Sequence, residues 1–221
     1  CRRARTQGVR GDDTALATIA AAILDLDDSY LAVQGPPGTG KTTLAANVIT
    51  TLVRDHGWRI GVVAQSHKVV ENVLRKVVEV GLDPALVGKS KVRDAPFTML
   101  PDDGHQNFAA RNSGGYVIGG TAWDMTNTKR IGRRQLDLLV IDEAGQFSLA
   151  ATIGVSTAAR NLLLLGDPQQ LPQVSQGTHP AVKSNTRPVA MPNSTSHRGT
   201  SRRRPAMVVV EIVNTAAMRS A

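Results

Sequence analysis

Apolar residues recur along the chain in two alternating rhythms. From Asp13 to Leu24 an alanine-rich stretch carries them at helical spacing, behind an Asp-Asp-Thr start suited to capping a helix. Tyr30 to Gln34 is then a short apolar run ending in glycine and proline, which predicts a strand. Lys41 to Arg54 places Leu44, Val48, Ile49 and Leu52 at helical intervals. Arg59 to Ala64 predicts a second strand, and Ser66 to Val80, with Val69, Val70, Val73, Leu74, Val77 and Val78, a second helix. Further strands are predicted at Tyr116 to Gly119, Leu136 to Ile141 and Asn161 to Leu165, with a helix over Ser148 to Ala159 between the last two. This alternation predicts an α/β fold: a three-layer arrangement in which helices flank a parallel sheet with right-handed crossovers.

Two stretches break the rhythm. Residues 81–115 are rich in Gly, Pro, Asp and Asn and read as a surface insertion with no firm element. From Ser175 onward the chain turns into Ser, Thr, Asn, Pro and Arg, without periodicity until a late strand candidate at Met207 to Val213. The expected organisation is one α/β domain over residues 1–180. Residues 181–221 are expected to form a basic, largely irregular tail that is disordered or poorly packed.

Composition narrows the picture. Aromatics make up only 3% of the 221 residues, so the core must come from Val, Leu, Ile and Ala, which suits a parallel sheet. The single cysteine, Cys1, excludes an internal disulfide framework and any cysteine-clustered zinc or iron–sulfur site within this chain. No apolar run approaches the roughly 20 residues that span a bilayer; a soluble, cytoplasmic protein with no membrane partner is the expectation. A start at Cys1 rather than Met also leads us to expect a fragment. The net charge of +8 is uneven: residues 175–221 hold seven Lys and Arg against one acid, Glu211, so most of the excess belongs to the tail. A solvated basic tail is favoured over a dedicated nucleic-acid arm.

GPPGTGKT at Gly35 to Thr42 falls where the first sheet strand should end and a helix begin. Phosphate binding needs several backbone N–H groups aimed into one small space, so glycines must permit conformations other residues resist. Gly35, Gly38 and Gly40 supply that freedom and Pro36 and Pro37 stiffen the approach. Lys41 is placed to reach the β and γ phosphates, and the Thr42 hydroxyl to take one position on Mg2+. The nucleotide-binding set is thus Gly35, Pro36, Pro37, Gly38, Thr39, Gly40, Lys41, Thr42 and Thr43. In LLVIDEAGQ a buried strand ends at Asp142, the expected Mg2+ partner, with Glu143 beside it as the expected water activator. A third apolar strand runs into Gly166 and Asp167 and then two amides, Gln169 and Gln170. A glutamine beside a γ-phosphate senses it without titrating.

Together GPPGTGKT, VVAQSHKVVENVL, GGTAW, VIDEAGQ and LLGDPQQLPQV stand in the order and spacing of motifs I, Ia, Ic, II and III of superfamily 1 helicases. The chain resembles the first RecA-like domain of that family, especially the nonsense-mediated-decay and replication-maturation branch and bacterial members that follow a RecB-like nuclease domain. The likeness covers roughly residues 29–180. It implies ATP and Mg2+ as cofactors, Lys41, Asp142, Glu143 and Gln170 as catalytic residues, and a role for Gln146 in coupling sites. It also implies a single-stranded DNA or RNA partner met by Ser66, His67, Lys68 and Thr121, with 5′ to 3′ polarity. Trp123 is a further candidate, for stacking on a base.

After about Pro180 the resemblance ends, and the second RecA-like domain, with its phosphate-stabilising arginine, and the nuclease domain are expected to be missing partners. Such an arginine is worth about 10³ to 10⁵ in rate, so weak hydrolysis by this chain alone is expected. Two other readings stay open: a truncated nucleotide-binding module without helicase activity, and a regulatory ATPase that remodels protein partners.

Overall fold

The computed structural model of the protein describes residues 5–9, 12–36, 38–167 and 208–212. Among these, nine strands form one sheet: β1 (Arg5–Val9), β2 (Tyr30–Gln34), β3 (Arg59–Val63), β4 (Val87–Ser90), β5 (Thr98–Leu100), β6 (Tyr116–Gly120), β7 (Leu136–Ile141), β8 (Ala159–Gly166) and β9 (Val208–Ile212). Their order across the sheet is β1-β9-β2-β8-β7-β3-β6-β4-β5, and every pairing is parallel. The helices are α1 (Asp12–Leu24), α2 (Lys41–His56), α3 (His67–Glu79), α4 (His105–Arg111), α5 (Ala122–Thr126) and α6 (Leu149–Ser156).

A strand buried on both faces must be apolar on both, and β7 shows how this builds three layers. Leu138 and Val140 point into a core shared with α1, α2 and α3, where Ile23, Ile49, Leu52, Val73 and Leu74 are fully buried. Leu139 and Ile141 point the other way, into a core with Phe108 of α4, Met125 of α5 and Val155 of α6. Each fully buried Leu, Ile or Val contributes roughly 1.5–3 kcal/mol, which makes the two apolar faces the main adhesive between layers. Helix α2 stops at Gly57, whose φ of 66° lets its own N–H reach the Val53 carbonyl at 3.0 Å and the Trp58 N–H the Leu52 carbonyl at 3.1 Å. A Cβ there would also lie 2.9 Å from the Gly114 carbonyl oxygen.

The register brings the C-terminal ends of four strands to one edge. Gln34 of β2 sits opposite Gly166 of β8, Ile141 of β7 opposite Leu164 of β8, and Val63 of β3 opposite Ile141. Two strands, β8 and β7, are thereby inserted between β2 and the next strand in the chain, β3. The crossover from β2 to β3 therefore passes both strands, and the carboxyl ends of strands at such a switch are where ligands of open α/β sheets bind.

Two expectations need correction. Residues 81–115 are not an insertion without elements: β4 pairs with β6, β5 extends the sheet beyond it, α4 follows, and Val87, Phe97, Leu100 and Phe108 are buried. The strand β4 (VGKS) lacks an apolar run because its buried lysine is satisfied by side chains brought from α3. The late strand expected at Met207 to Val213 is present as β9 and pairs with β1 and β2; the rest of 181–221 lies outside the described residues. The helix expected over Ser148 to Ala159 closes at Ser156, because Ala159 already begins β8. Helix α5 had a local signal in the Thr121–Asp124 capping box.

Candidate nucleotide site

The P-loop connects β2 to α2. Gly38 and Gly40 take φ values of 76° and 78°, the left-handed region that a side chain resists, and no atom lies where a Cβ would go. The glycines at these positions serve backbone conformation rather than space. Gly40 is the N-cap of α2 and brings no side chain to the first-turn N–H groups, so those donors stay available for an anion. Thr39 closes the loop by donating from Oγ1 to the Pro36 carbonyl at 2.8 Å. The Lys41 ammonium donates to the carbonyls of Gly35 at 2.5 Å and Pro36 at 2.8 Å, which lays the charge along the loop; an ammonium has three donors, and these bonds use two. Thr42 and Thr43 occupy the same first turn, Thr42 half-buried and Thr43 exposed.

Asp142 follows β7 directly, and its N–H donates to the Val63 carbonyl at 3.0 Å. Its carboxyl is buried, which pushes its pKa up; the Glu143 N–H donated to Oδ1 at 2.9 Å and the nearby Lys41 charge pull the other way without cancelling the rise. Glu143 is raised as well, first by burial and then by Asp142. Its backbone is left-handed, with φ 54° and ψ 42°, a conformation costing a non-glycine residue roughly 1–2 kcal/mol. Strain of this kind at the turn after a central strand is typical of a functional site. Gln146, expected to couple sites, donates its N–H to the Glu143 carbonyl at 2.8 Å and accepts from Gln65 Nε2 at 2.9 Å. Gln65 follows β3 and had no distinguishing signal in the sequence.

These groups meet. A cavity of about 250 Å3 is lined by Gln34, Ala144, Gly145, Gly166 and Asp167, where the ends of β2 and β8 face the turn after Glu143. The expected phosphate sensor Gln170, and Pro37 of the loop, lie outside the described residues.

The four expected strand-contacting residues follow β3 and β6 at the same sheet edge. Ser66 caps α3, its Oγ accepting the Val69 N–H at 3.3 Å while its own proton stays free to donate. His67 and Lys68 are exposed in the first turn. Thr121 caps α5 and gives its hydroxyl proton to Asp124 at 2.9 Å, so a phosphate contact there would have to replace that bond. Trp123 is 60% exposed, and the Arg130 guanidinium lies 4.7 Å from its ring centroid, held by Asp124 and Asp102. Lys89, missed in the sequence because β4 was missed, lies beside His67.

A family model described as an AAA domain matches residues 16–198. The chain is 28% identical over 154 residues to the DNA replication ATP-dependent helicase/nuclease JHS1 of Arabidopsis thaliana, a match spanning 67% of this chain and 11% of that protein. It is 26% identical over 151 residues to the DNA replication ATP-dependent helicase/nuclease DNA2 of Saccharomyces cerevisiae, covering 66% of this chain and 10% of that one. The chain therefore spans about a tenth of the length of these curated relatives. Among solved structures, the UvsW helicase of bacteriophage T4 superposes with a TM-score of 0.51 at 10% identity over 75% of this chain and 56% of that one, a likeness of fold. With the P-loop, the Asp142–Glu143 turn and the all-parallel sheet in place, this chain belongs to the AAA-domain family and has a RecA-like fold.

Proposed function

We propose that the domain binds ATP with Mg2+ at the P-loop, hydrolyses it, and in a longer helicase drives movement along single-stranded DNA or RNA in the 5′ to 3′ direction. The observation that carries this reading is the meeting, at one sheet edge, of an uncapped helix start, a lysine laid along the loop and a buried carboxyl. The donor set suits Mg2+. Among the described residues no group of three or more His, Cys, Asp or Glu could hold a metal alone, and Mg2+ is usually bound by one or two protein oxygens plus phosphates and waters. Asp142 and Thr42 would supply those oxygens; the ion when bound would neutralise charge on the phosphates. Lys41 and the first-turn N–H groups of α2 hold and orient the phosphates. Glu143, whose pKa is raised by burial, is assigned to take a proton from an attacking water, and Gln170 to sense the γ-phosphate.

The proposed motor unit is residues 1–180, and residues 181–221 a basic extension that lends β9 to the sheet. A second RecA-like domain would complete the site, and the helicase/nuclease names of the relatives make a nuclease domain a reasonable neighbour in the full protein. No helix among the described residues is long and apolar enough to cross a membrane. A fluorescence titration with labelled oligothymidylate, with and without a non-hydrolysable ATP analogue, tests the reading. Affinity that responds to nucleotide supports it. Binding that ignores nucleotide, falls steeply with salt and disappears in Arg202→Gln/Arg203→Gln/Arg204→Gln would assign it to the tail and overturn a motor-site contact.

A further inference from the structure

A lysine inside a sheet needs an explanation, since a buried charge is costly unless paired. Lys89, the third residue of β4, is 1% exposed, and its partners are all at hand. The ammonium lies 3.2 Å from Glu71 Oε1, donates to the Ser90 carbonyl at 3.0 Å, and lies 3.1 Å from Nδ1 of His67. Glu71 and His67 are four residues apart on α3, so they share one helix face, and β4 brings Lys89 up beneath both. The carboxylate balances the charge. The histidine contact is left over, and it has only one chemical sense: an ammonium donates and cannot accept, so Nδ1 must be the acceptor and the ring proton must sit on Nε2.

We propose that Lys89 is a positioning residue that holds His67 as the Nε2–H tautomer, so that this N–H donates to a phosphate oxygen of a bound single strand. The inference rests on the single-strand reading above. Its physical content is that a ring free to turn and to exchange tautomers offers a donor only part of the time, whereas a ring pinned at Nδ1 offers one constantly. His67 is exposed in the first turn of α3, beside the Ser66 hydroxyl. Two adjacent donors, neither reading base identity, suit a backbone phosphate. Because the pinned imidazole is neutral, its contact contributes geometry without releasing a counterion.

Long-range 1H–15N NMR of the 221-residue chain reads the tautomer directly, with His67→Ala assigning the signal among the five histidines. The expected result is Nε2–H in the wild type, retained in Lys89→Arg, whose guanidinium also only donates, and mixed in Lys89→Met. Should Lys89→Met fail to fold, Lys89→Met/Glu71→Gln removes both buried charges and serves the same purpose. An Nδ1–H wild type, or a tautomer unmoved by loss of the cation, overturns the proposal. Fluorescein-labelled oligothymidylate supplies the second readout. His67→Ala, Lys89→Met and His67→Ala/Lys89→Met should each bind roughly tenfold more weakly, with no further loss on combination. The slope of log affinity against log salt should stay the same; a slope reduced by about one would mean His67 binds as a cation and would overturn the neutral contact. Unchanged affinity in His67→Ala overturns the phosphate contact while the tautomer result stands. Failure of the wild-type chain to bind single strands at all removes the motor reading itself.

Discussion

The N–H of Gly35 donates to the carbonyl oxygen of Gly166 at 3.3 Å, tying the first residue of the P-loop to the last residue of β8. With Gln34 paired opposite Gly166, the mouth of the loop and the end of β8 form one continuous piece of sheet edge. The loop's glycines are free to adopt their turn while its root is fixed, which is the combination a preformed phosphate cradle requires.

Lys41→Ala should abolish the rise in melting temperature given by ATP with Mg2+, because the loop loses the charge that neutralises the phosphates. The apo protein should lose no more than about 1 kcal/mol, since the bonds from Nζ to the Gly35 and Pro36 carbonyls are partly exposed. A melting shift with ATP that survives in this variant would remove the P-loop assignment.

Asp142 carries a raised pKa, so the folded state binds its proton more tightly than the unfolded chain does. Between the ordinary carboxylate range and the raised value, stability should therefore fall as pH rises. Asp142→Asn should flatten that part of the profile and make the apo domain at neutral pH equal to or more stable than wild type. The same variant should lose the Mg2+-dependent part of ATP binding. Urea denaturation over a pH series running upward from the ordinary carboxylate range checks the first expectation, and calorimetry with and without Mg2+ the second.

Asp137, at the opposite end of β7, should show the reverse sign. Burial raises its pKa, but three bonds from Arg59, at 2.9 Å from Nε, 2.7 Å from the terminal nitrogen and 2.9 Å from the main-chain N–H, outweigh burial and hold it below the usual range. Its contribution is present above the ordinary carboxylate pKa and is lost as pH falls through the depressed value. Asp137→Asn should cost about 1–3 kcal/mol at neutral pH and shrink the acid limb of the denaturation profile. An equal loss at pH 2 and pH 7 would contradict the pairing.

Gly119→Ala should destabilise the domain by about 1–3 kcal/mol, through overpacking rather than strain in φ. The added Cβ would lie 2.6 Å from Leu74 Cδ1 and 2.7 Å from Val70 Cγ1, both fully buried on α3. The helix must shift to admit it, which moves His67 and Ser66 at its start. A lower urea midpoint with an unchanged m-value, together with weaker single-strand binding, is the expected result. Wild-type stability would show that α3 is not packed tightly against this strand.

Glu143→Gln should keep nucleotide binding and lower single-turnover hydrolysis about 10²- to 10⁴-fold, the usual worth of a general base. Glu143→Gly should do the same to hydrolysis while raising stability, because glycine occupies the left-handed turn without a Cβ penalty. A Glu143→Gly variant no more stable than Glu143→Gln would mean the turn stores no strain.

The sequence alone determined the elements whose physics is local. Strand β7 is buried on both faces, and β2 and β8 are fully buried on one face and partly covered on the other, which leaves apolar runs that stand out from their surroundings. The P-loop was legible because glycines, lysine and a helix start are contiguous, and Asp142 because it ends such a run. Tertiary structure decided what depends on distant partners. The order β2-β8-β7-β3, which gathers Gly35, Asp142 and Asp167 at one edge, rests on pairings between strands far apart in the chain. The polar strand β4 is a strand only because Glu71 and His67 arrive from α3 to meet Lys89, and a buried charge becomes tolerable once another element supplies its counter-charge and hydrogen bonds.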